Sequence, residues 1–260
     1  RAGLDVQRNR LDLSLMRVTA RRGVTLVEVL VALVIAGIIG AAATRLLLLQ
    51  NRLARRFAAV DSARQTVAAT SAWLESELLE AAPRDLLAVA PDSLVYRSWR
   101  SAGLACLVTP TEVRIPGDGR ALWRLPQPGR DSLAIYYQPD SAAPRSWVTL
   151  PIQAVGTGTC GASAALRIQT SVAGRVPNPP PVVVPVRIFE VMTAKLYRSL
   201  GDWWLGARSV SGGEGLQPVT GPFERDGVRF RFDPPSVIQL QLTPLGAAAT
   251  GQILDLRNLP

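Results

Sequence analysis

Arg21-Arg22-Gly23-Val24-Thr25-Leu26-Val27-Glu28-Val29-Leu30-Val31-Ala32-Leu33-Val34-Ile35-Ala36-Gly37-Ile38-Ile39-Gly40 is the stretch from which the rest of this chain can be read. Two arginines and a glycine abut an apolar run. Between Gly23 and Arg45 that run carries one charge, Glu28. It reaches the roughly 20 residues a helix needs to cross a bilayer. A carboxylate inside such a segment costs about 2.5 to 3.5 kcal/mol on insertion scales, so Glu28 is expected to have a partner and a purpose. Residues 1–23 carry net +4 of the chain's +9, leaving +5 for the remainder. Positive charge ahead of a membrane helix holds that end in the cytoplasm.

Working outward, the helical pattern continues past the apolar run. Leu46, Leu49, Leu53, Phe57, Val60, Val67, Leu74 and Leu78 recur at three- and four-residue steps or multiples of them. Arg52, Arg55, Arg56, Asp61, Arg64 and Glu75 lie between them. An apolar stripe on a charged helix packs on something. Pro83 is the first proline and the expected stop. One helix over 24–82 follows, about 88 Å long at 1.5 Å per residue. Its half at 24–44 is membrane-spanning and its half at 45–82 amphipathic.

After Pro83 the texture turns to β. Short β-branched or alternating runs lie between prolines and glycines. Strands are expected near Leu94–Trp99, Ala105–Val108, Glu112–Ile115, Leu122–Leu125, Leu133–Gln138 and Val148–Ile152. Further strands are expected near Leu166–Val172, Val182–Val191, Ala194–Ser199, Trp203–Val210, Val228–Asp233 and Val237–Leu242, with Gly201-Asp202 turning one hairpin. Pro177-Asn178-Pro179-Pro180-Pro181 reads as a stiff connector. Strands without intervening helices predict an antiparallel sheet over 83–260. The fold class is α+β, a long helix packed on a β-rich domain.

Composition narrows the chemistry. The chain has no histidine, which removes the commonest general base and the commonest metal ligand. Neither a catalytic set nor a metal site is expected, nor any cofactor. No P-loop and no Gly-x-Ser-x-Gly occur, and Asp85, Asp92, Asp118, Asp131, Asp140 and Glu214 show no acid–base or calcium spacing. The basic charge is spread along the chain and nearly all arginine, with Lys195 the only lysine, so nucleic acid is not expected as a partner. Cys106 and Cys160 fall after the membrane run. In an oxidising compartment they would pair, and the alternative is two unpaired buried thiols. Trp73, Trp99, Trp123, Trp147, Trp203 and Trp204 would fill the β core or line a sugar or partner site.

The opening stretch resembles the N-terminus of type IV prepilins and of the pseudopilins of type II secretion, with Val24 where most members carry Phe. The resemblance implies a leader over 1–23 ending at the cleavage-site glycine Gly23. Met16 is read as the true start, with the residues before it an over-called extension. It implies N-methylation of Val24 after cleavage, a filament-assembly role for Glu28, and the ladle architecture of pilins. The implied partners are the prepilin peptidase and methyltransferase, other minor pilins or pseudopilins with the major subunit, and an inner-membrane assembly platform. The implied location is the bacterial inner membrane, spanned by 24–44, with the C-terminal domain periplasmic and a place in a cell-surface filament open. Tyr197-Arg198, Pro218-Val219 and Gly227 to Phe232 further resemble the tail of PilW- and GspJ-type minor subunits. Such a subunit is structural, acting at the tip or start of a pilus or pseudopilus. The alternatives are an adhesin or DNA-binding role on the same scaffold, and a membrane-anchored periplasmic domain of unknown activity. A signal anchor with a coiled-coil stalk would leave Gly23 and Glu28 unexplained.

Overall fold

The helix α1 runs over Leu26–Leu78 as a single 53-residue element, about 80 Å long. It belongs to a computed structural model that describes residues 24–117, 124–137, 146–170 and 184–256. The leader, Met16, Gly23, Asp118, Trp123, Asp140 and the proline connector at 177–181 lie outside these residues. The chain divides into two compact units at Arg56 and Phe57.

In the first unit every described side chain from Val24 onward is exposed. An 18-residue window of α1 reaches a mean hydropathy of 2.6, sufficient by length and composition to cross a membrane. The second unit holds the rest of the helix and all the strands. Here the expected stripe is covered only in part. Thr66, Thr70, Ser71, Leu74 and Leu78 are the buried positions of α1, and Phe57, at 71% exposure, and Val60 stay in the open. The stripe on 45–82 is therefore apolar where it is uncovered, and where it packs Thr66, Thr70 and Ser71 are followed by Leu74 and Leu78. Small residues let the helix approach the sheet closely, and Thr70 Oγ1 lies 2.9 Å from Thr220 Oγ1.

The helix also ends four residues before the expected stop. Ala82 precedes Pro83, which pushes it out of helical space, to φ −98° and ψ 164°. The Ala82 N–H donates to Asp85 Oδ2 at 2.9 Å and the Asp85 N–H donates back to the Ala82 carbonyl at 2.8 Å. A short 3-10 turn, Pro83–Asp85, links α1 to the sheet.

Among the described residues twelve strands follow: β1 Leu86–Ala90, β2 Ser93–Ala105, β3 Leu107–Val108, β4 Glu112–Pro116, β5 Asp131–Tyr137, β6 Ser146–Cys160, β7 Ser163–Thr170, β8 Val184–Ser199, β9 Asp202–Ser209, β10 Gln217–Asp233, β11 Val237–Pro244 and β12 Thr250–Asp255. Every pairing among them is antiparallel. The runs expected at Val182–Val191 and Ala194–Ser199 are one strand, β8, and it is the spine. One edge pairs with β2 along its length. The other pairs first with β5, Ile135↔Val186 to Asp131↔Glu190, and then with β9, Met192↔Ser209 to Ser199↔Asp202. The β8–β9 turn is Leu200-Gly201, one residue earlier than expected, and both residues have positive φ as a two-residue hairpin turn requires. β1, β12 and the first half of β10 have no counterpart in the sequence reading. Arg124 and Leu125, expected in a strand, are in none; Pro126 and Pro128 deny that segment ladder donors.

Because side chains alternate along a strand, one row of β8 faces the interior. Val184, Val186 and Ile188 join Leu133, Ile135, Leu150 and Ile168 in one core. Met192, Ala194 and Leu196 join Leu74, Leu78, Tyr96, Phe223 and Leu240 in another. The residue between them in the same row is Glu190.

Candidate functional site

The helix start comes first. Val24 and Thr25 precede α1, and Thr25 caps it. The Glu28 N–H donates to Thr25 Oγ1 at 3.3 Å and to the Thr25 carbonyl at 3.0 Å. Thr25-x-x-Glu28 has the spacing of a capping box, and a carboxylate in the first turn suits the helix dipole. Glu28 thus stands in the first turn of the helix, with Thr25 supplying the cap. Its side chain is exposed.

The second place is the junction between the two cores. Glu190, 1% exposed, accepts from Arg100 Nε at 3.2 Å, from Arg124 Nη2 at 3.1 Å and from Arg130 Nε. Asp131 sits directly across the ladder from Glu190 and is 2% exposed. Two carboxylates in that position repel unless a cation lies between them. Arg124 fills that place. It grips Asp131 with both terminal nitrogens at 2.6 Å while touching Glu190. The Gln127 N–H adds a bond to Asp131 Oδ2 at 2.7 Å.

Arg100 reaches this junction through a break in the ladder. The β2–β8 register slips between Trp99 and Ser101, leaving Arg100 without a strand partner. Its guanidinium then bridges Glu190 to Glu77 on α1, 3.1 Å away, and Glu77 also accepts from the Tyr96 hydroxyl at 3.3 Å. Arg130 bridges outward to Glu214 at 2.7 Å.

Electrostatics follow from this packing. Burial pushes the Glu190 carboxyl up, but hydrogen bonds from Ser209 and Arg130 and the charges of Arg100 and Arg130 outweigh it and hold the group below the usual glutamate range. The hydrogen bond to Asp131 pushes Arg124 up, against burial. Burial, with the charge of Glu77, pushes the Tyr96 hydroxyl well up. Both buried carboxylates are saturated by guanidinium donors. The junction can therefore hold α1, β2, β5 and β8 in one register, and it offers no free base. Among the described residues no cluster of three His, Cys, Asp or Glu is placed to hold a metal ion.

Cys106, just after β2, and Cys160, at the end of β6, are joined with Cα atoms 6.0 Å apart. The bridge ties the end of β2 to the hairpin β6–β7. Trp73 and Trp203 pack against the helix-side core. Trp99 and Trp147 line a trough on the opposite face of the sheet. Of the tail segments, Tyr197-Arg198 lies at the end of β8, and Pro218-Val219 and Gly227 to Phe232 lie along β10. A Cβ at Gly227 would meet the Thr243 carbonyl oxygen at 2.6 Å, so this position admits only glycine.

No curated protein and no solved structure matches the chain. Residues 19–44 match the family model of the prokaryotic N-terminal methylation motif. That motif implies processing by a prepilin peptidase and assembly with other pilins, and bearers of it are structural subunits. Together with the single apolar N-terminal helix it fits an inner-membrane-anchored protein. The motif indicates a type IV pilin-like or pseudopilin-like subunit.

Proposed function

We propose that this chain is a minor pilin or pseudopilin of PilW/GspJ type, working at the tip or initiation complex of a filament. It is cleaved between Gly23 and Val24 and methylated on the Val24 amine. Residues 24–44 span the inner membrane, with the preceding side cytoplasmic and the β domain periplasmic. Glu28 pairs with the free amine of a neighbouring subunit during assembly. In apolar surroundings that attraction is stronger than in water, while both groups lose hydration, so the pair sets register more than it adds stability.

The observation that carries this reading is the exposure of every apolar side chain from Val24 to Val60. Lipid covers roughly the first 20 residues of such a helix. Leu46 to Val60 extends beyond that and needs cover from outside this chain. Neighbouring helices in a filament supply it. The PilW/GspJ subtype rests on Tyr197-Arg198, Pro218-Val219 and Gly227 to Phe232.

The test is the mass of the N-terminal peptide of the native protein. A peptide starting at Val24 with one added methyl group is expected. A peptide that retains residues 16–23 would overturn the proposal.

A further inference from the structure

The face of β8 that turns away from the two cores carries an arrangement that filament assembly through α1 does not use. Its row is Pro185, Arg187 and Phe189. On the β2 side, Arg97 lies over the Phe189 ring at 5.3 Å, and Trp99 meets Phe189 edge-on at 5.2 Å. On the far side, Trp147 of β6 packs with Tyr136 of β5 at 5.2 Å. Arg187 lies over both tryptophans, 5.1 Å from the centre of Trp99 and 5.5 Å from that of Trp147. Between them β5 presents Ala134, in register with Arg187 and with Thr149. That small residue opens a trough of about 730 Å³.

The charge here is unbalanced. Arg84, Arg97 and Arg187 line the trough with one carboxylate, Asp85. Asp85 is 2% exposed and already accepts from the Ala82 N–H, from Trp99 Nε1 at 3.1 Å and from Arg97 at 3.5 Å. Arg187 has no carboxylate partner among the described residues. A guanidinium stacked against two indoles is fixed in direction and offers its N–H edge, which matches the fork of a carboxylate. The ring faces are taken by Arg97 and Arg187, so they are poor platforms for stacking nucleobases. Tryptophan, tyrosine and arginine in a half-buried patch are also the residue types that anchor protein interfaces.

We propose that this trough docks an acidic segment of a partner protein, with a partner carboxylate held on the N–H edge of Arg187. The inference does not depend on the filament reading. Its test uses the full chain in non-ionic detergent, titrated with an acetylated hexaglutamate peptide at low salt and followed by tryptophan fluorescence. Saturable binding is expected. Arg187→Gln should weaken it at least tenfold. Arg187→Lys should weaken it similarly, because an ammonium keeps the charge and loses the stacked fork. Arg229→Gln, on β10 outside the trough, should leave it unchanged. Absence of saturable binding, or equal losses from the Arg187 and Arg229 variants, would overturn the proposal. Tighter binding of an oligothymidylate than of the peptide would overturn it in favour of a nucleic-acid site.

Discussion

Replacing Arg124 should damage the domain more than replacing the more deeply buried Glu190. After Glu190→Gln each neighbouring arginine keeps a carboxylate: Arg100 keeps Glu77 at 3.1 Å, Arg124 keeps Asp131 at 2.6 Å and Arg130 keeps Glu214 at 2.7 Å. Glu190→Gln should therefore cost about 2 kcal/mol, near the net value of one charged hydrogen bond. Arg124→Met has no such fallback. It strands Asp131, which then keeps only the Gln127 N–H, directly opposite Glu190. Two unit charges about 4 Å apart interact by about 4 kcal/mol at an effective dielectric of about 20. Arg124 is 26% exposed, which reduces that figure, whereas the stranded Asp131 cannot recover hydration. The expected loss is about 3 to 4 kcal/mol, the range for breaking a buried pair from one side. The double variant Arg124→Met/Asp131→Leu removes both partners and should restore at least half of it. Urea unfolding of the full chain in detergent, followed by tryptophan fluorescence at neutral pH, measures all three. Equal losses from Arg124→Met and Glu190→Gln, or a double variant whose loss is the sum of its singles, would refute the view that Arg124 neutralises a cross-strand acid pair.

Three further outcomes follow from the same geometry. Glu28→Gln keeps the capping-box side-chain type and loses the charge, so it should insert normally and fail to enter sheared filaments; normal incorporation would assign Glu28 to capping alone. Glu190 is held below its unfolded range, so its contribution is present above the ordinary glutamate pKa of about 4.3 and is lost as pH falls through the folded value. The acid limb of a stability–pH curve should accordingly be shallower in Glu190→Gln, and an unchanged limb would show that other carboxylates govern it. Cys106→Ser should cost about 3 to 4 kcal/mol for a bridge spanning 54 residues, and a non-reducing peptide map of exported protein that finds both thiols free would remove the bond from the account.

What was readable in the sequence is what is local. The helix follows from a charge gap and a periodicity, each confined to a few turns. Its end was misplaced because Pro83 acts on the residue before it, and the Ala82–Asp85 ring closes the segment earlier. β8 reads as two strands because Glu190 and Thr193 interrupt an apolar run, yet both keep the two-residue alternation of one strand. The junction was out of reach for a different reason. Arg100 and Glu190 are 90 positions apart, and Arg124 and Glu190 are 66 apart. Only the register slip at Trp99–Ser101 brings Arg100 in. One signal was present and informative, a lone glutamate in the inward row Val184, Val186, Ile188, Glu190, Met192. A charge there demands partners from elsewhere in the chain. Thr25-x-x-Glu28 is likewise a legible helix start.

The helix leaves much of its apolar stripe uncovered. Where this chain covers α1, the buried stripe begins with Thr66, Thr70 and Ser71 and ends with Leu74 and Leu78. Thr70 donates to the Thr66 carbonyl at 2.7 Å and lies 2.9 Å from Thr220 Oγ1, whereas Ser71 Oγ is buried without a hydrogen-bond partner. Where this chain leaves α1 open, the side chains are Leu46, Leu47, Leu48, Leu49, Leu53, Phe57 and Val60. Burial of each is worth about 1.5 to 3 kcal/mol, several times the net value of a threonine pair. The larger favourable term is thus left unsatisfied in the single chain, on a segment too long for one bilayer crossing to cover together with 24–44. A sequence selected only for stability of the single chain would not leave so many leucines in the open. The arrangement is the one expected if packing against other helices is the function of the segment. The Glu77–Arg100–Glu190 tie and the burial of Leu74 and Leu78 together seat the last turns of α1 on their own domain.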